Sequence, residues 1–85
     1  MNISKLEQRV LHVLAQGGQI RHLRDDRRKI TQVLCLTRDG AVLSDCTLPL
    51  FTRLRARGLI ASAGGQPYRI TYLGRRAVRA QFDNQ

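Results

Sequence analysis

At 85 residues and 9.6 kDa the chain has room for one core, since a domain this short buries only about 60–65% of the surface its unfolded form exposes. Two domains are thereby excluded, and one domain spanning residues 1–85 is expected. A formal charge of +9 and a pI near 11.3 attract phosphate backbones, anionic lipid or acidic protein surfaces, nucleic acid being the leading candidate, and no run approaches the roughly 20 apolar residues a membrane span requires.

The first element follows a capping-box pattern, Ser4 with Glu7 three residues later. Leu6, Val10, Leu11, Val13 and Leu14 then fall within roughly 160° of a helical wheel, so a helix is expected from Ser4 to Gln16, stopped by Gly17 and Gly18. Between Gln19 and Ser44 the period shortens. Ile20–Arg24, Ile30–Thr37 and Ala41–Ser44 read as three short strands, joined by the polar tip Asp25-Asp26-Arg27-Arg28 and by Asp39-Gly40, a tight-hairpin pair.

Thr47 or Asp45 can cap a second helix that carries Pro49 in its first turn and ends at Gly58. Leu59–Ser62, the turn Gly64-Gly65-Gln66-Pro67 and Tyr68–Thr71 form a hairpin. Thr71 caps a last helix whose apolar side comprises Leu73, Ala77, Val78 and Phe82, followed by the tail Asp83-Asn84-Gln85. The expected fold class is α+β. The order of helix, Gly58, Leu59-Ile60, hairpin and helix resembles the recognition-helix and wing half of winged-helix domains. With strands in the middle, the chain is expected to be an atypical winged helix: three helices, an inserted strand meander and a C-terminal hairpin wing.

Candidate binding residues are cationic or polar. Thirteen of the fifteen basic residues are Arg, whose planar fork suits bidentate contacts to phosphate, carboxylate or guanine. On the second helix Thr52, Arg53 and Arg57 fall opposite the arc of Leu48, Leu50, Phe51 and Leu54, whereas Arg55 lies at the edge of the core. On the last helix Arg75, Arg76 and Arg79 gather in one sector. Gln66 and Arg69, with Tyr68, mark the wing tip, which is short enough to enter a groove. For each group the alternative is a solvated helix face or an ordinary turn. Arg21, Arg24, Arg27, Arg28 and Lys29 form a second basic region, weakened by Asp25 and Asp26 among them.

Catalytic patterns are poor. His12 has no carboxylate at helical spacing to orient it. Cys35 and Cys46 lack the paired short spacings of zinc sites and read as small apolar residues; one disulfide between them is formally possible. The N-terminal residues carry no secretory-signal pattern, so a reducing cytoplasmic setting is expected. The expectation is a binding protein rather than an enzyme, with no cofactor and no metal.

Four strings, Leu11-His12-Val13-Leu14-Ala15-Gln16-Gly17-Gly18, Asp45-Cys46-Thr47-Leu48, Gly65-Gln66-Pro67-Tyr68-Arg69-Ile70 and Val78-Arg79-Ala80-Gln81-Phe82-Asp83-Asn84, closely resemble the bacterial YjhX family, and the resemblance runs almost end to end. It implies the toxin of a toxin–antitoxin pair, a protein inhibitor of DNA topoisomerase I neutralised by an antitoxin resembling an acetyltransferase. Composition and spacing alone imply only a basic binding domain, with DNA as a further candidate partner and a winged-helix DNA-binding regulator as the alternative function.

Overall fold

The computed structural model describes the backbone of residues 2–83 and the side chains of residues 2–78. Its architecture is α+β, with three helices and two small antiparallel sheets. Helix α1 (Lys5–Ala15) is followed by β1 (Gln19–Arg24), β2 (Ile30–Leu36) and β3 (Val42–Leu43). Helix α2 (Leu48–Ala56), the pair β4 (Ile60–Ala61) and β5 (Arg69–Ile70), and α3 (Tyr72–Asp83) complete the chain.

The expected elements are all present because local chemistry defines their ends. Ser4 Oγ accepts from the Glu7 amide at 3.1 Å, and Glu7 Oε1 accepts from the Ser4 amide at 2.9 Å, closing both halves of the capping box. Of the two caps considered for α2, Thr47 serves: its hydroxyl accepts from the Leu50 amide at 3.3 Å. Helix α2 ends in a Schellman motif, with Gly58 at φ 73°, its amide bonded to Arg55 O and the Leu59 amide to Leu54 O, each at 3.0 Å. The same pair of bonds closes α1, from Gly17 to Leu14 O and from Gly18 to Val13 O.

Strands β1, β2 and β3 form a meander in that spatial order. At its first turn Asp25 replaces missing ladder bonds: Oδ1 accepts from the Arg27 and Lys29 amides at 2.8 and 2.9 Å. Arg28 sits there at φ 65°. The meander joins the β4–β5 hairpin through one bridge, in which the Ile20 amide bonds Tyr68 O at 2.9 Å and the Tyr68 amide bonds Ile20 O at 2.8 Å.

One core cluster draws on every helix and both sheets. Val10, Leu11 and Leu14 come from α1, Ile20 and Cys35 from the meander, and Leu50, Phe51 and Leu54 from α2. Leu59, Ile60, Tyr68, Ala77 and Val78 close it from the C-terminal half. Full burial of each Leu, Ile or Phe contributes about 1.5–3 kcal/mol. The Tyr68 ring makes edge contacts with Phe51 at 4.9 Å and with His22 at 5.1 Å between centroids.

Three expectations about faces are corrected. Leu6 is 49% exposed, whereas Glu7 is 4% exposed; the buried stripe of α1 is Glu7, Val10, Leu11 and Leu14, a spacing of three and four that leaves Leu6 outside. Leu73, placed on the apolar side of α3, is 41% exposed. Tyr68, assigned to an exposed wing tip, is buried, since the bridge to Ile20 carries it into the core. Phe82 lies outside the residues whose side chains are described.

Helix α3 is locked at its start. Thr71 Oγ1 donates to Gly58 O at 2.7 Å and accepts from the Gly74 amide at 3.0 Å, and the Thr71 amide bonds Leu59 O at 3.0 Å. Gly74 thereby lies against the Leu59 backbone, where a Cβ would collide with the Leu59 carbonyl oxygen and the Ile70 side chain. Since backbone cannot move aside cheaply, Gly74→Ala should destabilise the fold by about 1–3 kcal/mol, read as a lower urea midpoint at unchanged slope. Arg76→Ala, on the exposed side of the same helix, should stay within about 0.5 kcal/mol of wild type.

Candidate partner-binding interface

The polar residues singled out in the sequence divide in the structure into exposed groups and groups committed to internal contacts. Thr52 and Arg53 are exposed on α2, and Arg75 and Arg76 on α3. The Thr52 hydroxyl donates to Leu48 O at 2.9 Å, one turn back, so its oxygen can still accept. Gln66 is exposed in the β4–β5 turn, where its amide bonds Ala63 O at 3.1 Å and its carbonyl accepts from the Ser62 hydroxyl. Arg69, also exposed, reaches Gln19 Oε1 at 3.2 Å. The side chain of Arg79 lies outside those described.

Arg57 departs from the expected outward pairing with Arg53. It is half-buried, and its guanidinium turns back to Glu7 Oε2 at 3.3 Å and Asn2 O at 2.6 Å. It is the last residue before the Schellman turn, and at that position the α1 surface lies within its reach. Its partner is the buried Glu7 carboxylate, which also forms half of the capping box. The sequence carries a signal for this second role: Glu7 stands three, four and seven residues before Val10, Leu11 and Leu14, which puts it on the buried stripe. Arg55 is exposed at the core's edge as expected, with its guanidinium carbon 5.5 Å from the Phe51 ring centroid.

Burial pushes the Glu7 pKa up, but the Ser4 amide, the Ser4 hydroxyl, Arg57 and then Arg53 together outweigh it and hold the carboxyl below its ordinary value of 4.5. Arg53 therefore lends its field to Glu7 while its head group stays in solvent. Arg9 forms a second bridge, to Asp45 Oδ2 at 2.8 Å, between α1 and the segment before α2.

Cys35 and Cys46, eleven positions apart, meet in the core as free buried thiols. The hydrogen bond between them holds Cys35 below the usual thiol value and, together with burial, pushes Cys46 above it. Among the described residues no group of three or more His, Cys, Asp or Glu is arranged to hold a metal. No described helix is long and apolar enough to cross a membrane. The arrangement offers exposed guanidinium groups on two helices and a short glycine-tipped turn, which suit the recognition of anionic or carboxylate-rich surfaces.

A carboxyl whose folded pKa is depressed stabilises the fold fully at neutral pH, and that contribution is lost as pH falls from 4.5 through the folded value. Glu7→Gln should therefore flatten the acid limb of stability against pH, measured by urea midpoints between neutral and acid conditions. Arg57→Ala leaves Glu7 without its cation and should cost about 1–3 kcal/mol at neutral pH, whereas Arg53→Ala should cost under about 0.5 kcal/mol.

A family model described as "Putative toxin of bacterial toxin-antitoxin pair", the YjhX toxin family, matches residues 1–85. A UPF0386 protein of Beijerinckia indica is 62% identical over 85 residues, covering all of both chains. Another from Cereibacter sphaeroides is also 62% identical, over all of this chain and 98% of its own, and one from Rhodospirillum rubrum is 59% identical, over all of this chain and 94% of its own. No solved structure matches. With the family model and these relatives matched along its whole length, the chain belongs to the YjhX toxin family.

Proposed function

We propose that the protein is the toxin of a toxin–antitoxin pair that inhibits DNA topoisomerase I by binding the enzyme or its DNA complex, without catalysing a reaction of its own. The observation that carries this reading is the exposure of Arg53 on α2 and of Arg75 and Arg76 on α3 in a chain of net charge +9. The enzyme could be met through carboxylates on its surface and its DNA complex through phosphates, and exposed guanidinium groups recognise both. The family resemblance supplies the identity of the target, and an antitoxin resembling an acetyltransferase would cover the same cations.

The second reading, a winged-helix regulator, is favoured by the run from α2 through the β4–β5 hairpin to α3. Here Thr52 and Arg53 would enter a major groove while Gln66 and Arg69 at the wing meet the backbone. Arg57 contributes little to either surface, since Glu7 and Asn2 hold it.

The protein at micromolar concentration should block relaxation of supercoiled DNA by topoisomerase I. The triple variant Arg53→Glu, Arg75→Glu and Arg76→Glu should lose at least tenfold in potency with unchanged circular dichroism. Full relaxation in the presence of wild type would overturn the inhibitor reading. Gel shifts with the protein alone separate the two functions: preference for one duplex without inhibition supports the regulator, and inhibition without DNA binding supports a protein target.

A further inference from the structure

The proposed inhibitor surface lies on α2 and α3 and the alternative adds the β4–β5 hairpin; neither gives the meander a role. Strand alternation divides the meander into two faces. Ile20, His22 and Cys35 point toward the core cluster and the Tyr68 ring. By their register Arg21, Leu23, Gln32, Leu34 and Val42 share the opposite face. Leu23 is 61%, Leu34 43% and Val42 60% exposed, three of the six large apolar residues exposed among those described. Beside them Arg21, Leu23, Gln32, Leu34 and Pro67 help to line a shallow trough of about 530 Å³.

The trough adjoins an open strand edge. Ile20 exchanges both main-chain bonds with Tyr68, and in an antiparallel ladder the next residue of β1 to point the same way is His22. Gln66, which would face His22, has its amide on Ala63 O and its carbonyl on the Ser62 hydroxyl, and Pro67 has no amide hydrogen to offer. The hairpin thus turns away and leaves the His22 amide and carbonyl directed outward beside Leu23.

Charge selects the occupant. Arg21 and Arg24 lie on β1 itself and Arg27, Arg28 and Lys29 in the turn that follows, all exposed, while the acids of that segment are Asp25 and Asp26, and the Asp25 carboxylate already accepts two turn amides. A second copy would bring the same cations against it. A phosphate backbone would leave Leu23, Leu34 and Val42 unburied. We propose that this edge and face form a second interaction surface, one that docks an extended acidic protein segment. That segment would add a strand beside β1 at His22, with apolar side chains at alternate positions over Leu23, Leu34 and the trough and acidic ones toward the cationic rim. This face lies on β1, β2 and β3 and contains none of Arg53, Arg75 or Arg76, which stand on α2 and α3.

The probes are ten-residue peptides alternating Asp or Glu with Ile or Val, compared with the same peptides carrying Lys for the acids, titrated into ¹⁵N-labelled protein. The acidic peptides should shift the amides of Arg21 to Arg24 and Gln32 to Leu34 and slow hydrogen exchange at His22. Affinity should fall at least tenfold in Leu23→Asp and Leu34→Asp, exposed positions whose folding circular dichroism verifies, and should stay within twofold in Arg53→Ala. The proposal is overturned by no binding at millimolar peptide, by equal binding of the Lys peptides, or by shifts confined to α2 and α3. Displacement of the same amide set by duplex DNA would assign the face to nucleic acid. Self-association of the protein alone, relieved by Leu23→Asp, would assign it to a second copy, and both results would equally overturn the proposal.

Discussion

The reciprocal hydrogen bonds between Ile20 and Tyr68 join the three-stranded meander to the β4–β5 hairpin, two antiparallel pieces that local folding would leave separate. Helix α1 packs against α3 and β5, on the hairpin side, and α2 spans the join by packing against both β2 and β4. The hairpin has two residues in each strand, too few to be stable alone. The bridge to β1 sets a third strand beside it and delivers the Tyr68 ring onto Phe51 and His22. The close contact of Gly74 with Leu59 then fixes where α3 starts, and so where Arg75 and Arg76 emerge. A chain with so few aromatic residues concentrates this joining function in one tyrosine.

The second constraint is electrostatic. Few acids face many cations, and the structure commits several of the acids internally: Glu7 to Arg57 and the Ser4 cap, Asp45 to Arg9, and Asp25 to the amides of its turn. Of these, the Glu7 contact matters most to stability, because a nearly buried carboxylate needs its hydrogen bonds and its cation, whereas the exposed Arg9–Asp45 pair contributes little. Arg53, Arg75 and Arg76 keep their charge in solvent on α2 and α3. The meander's cations instead border an apolar face, so the two surfaces suit different chemistry.

Much of the fold was legible in the sequence, since its element ends are local. The Ser4 and Glu7 box, the Thr47 and Thr71 caps, and Gly17 and Gly58 at the helix ends act within four residues of one another, and their geometry follows from backbone hydrogen bonding alone. Strand periods failed only at the ends, where β3 is Val42–Leu43 rather than four residues, because pairing with β2 reaches no further. The candidate interface was less legible. At 100° per residue Arg57 falls about 20° from Leu50, at the edge of the apolar arc rather than opposite it, but a wheel does not show what stands there, and α1 supplies a buried carboxylate. The same limit misplaced Leu6, Leu73 and Tyr68, whose exposure depends on which neighbouring element covers them.

By itself the sequence determined the order and type of the elements, the cationic character and the family, since capping, periodicity and charge are properties of short segments or simple sums. Only the tertiary structure decided which cations remain outside, that Cys35 meets Cys46, and that the meander joins the hairpin through Ile20 and Tyr68. It also decided that Leu23, Leu34 and Val42 share an open face. Each of these depends on contacts between residues far apart in the chain, and packing and pairing select them only once the whole core closes.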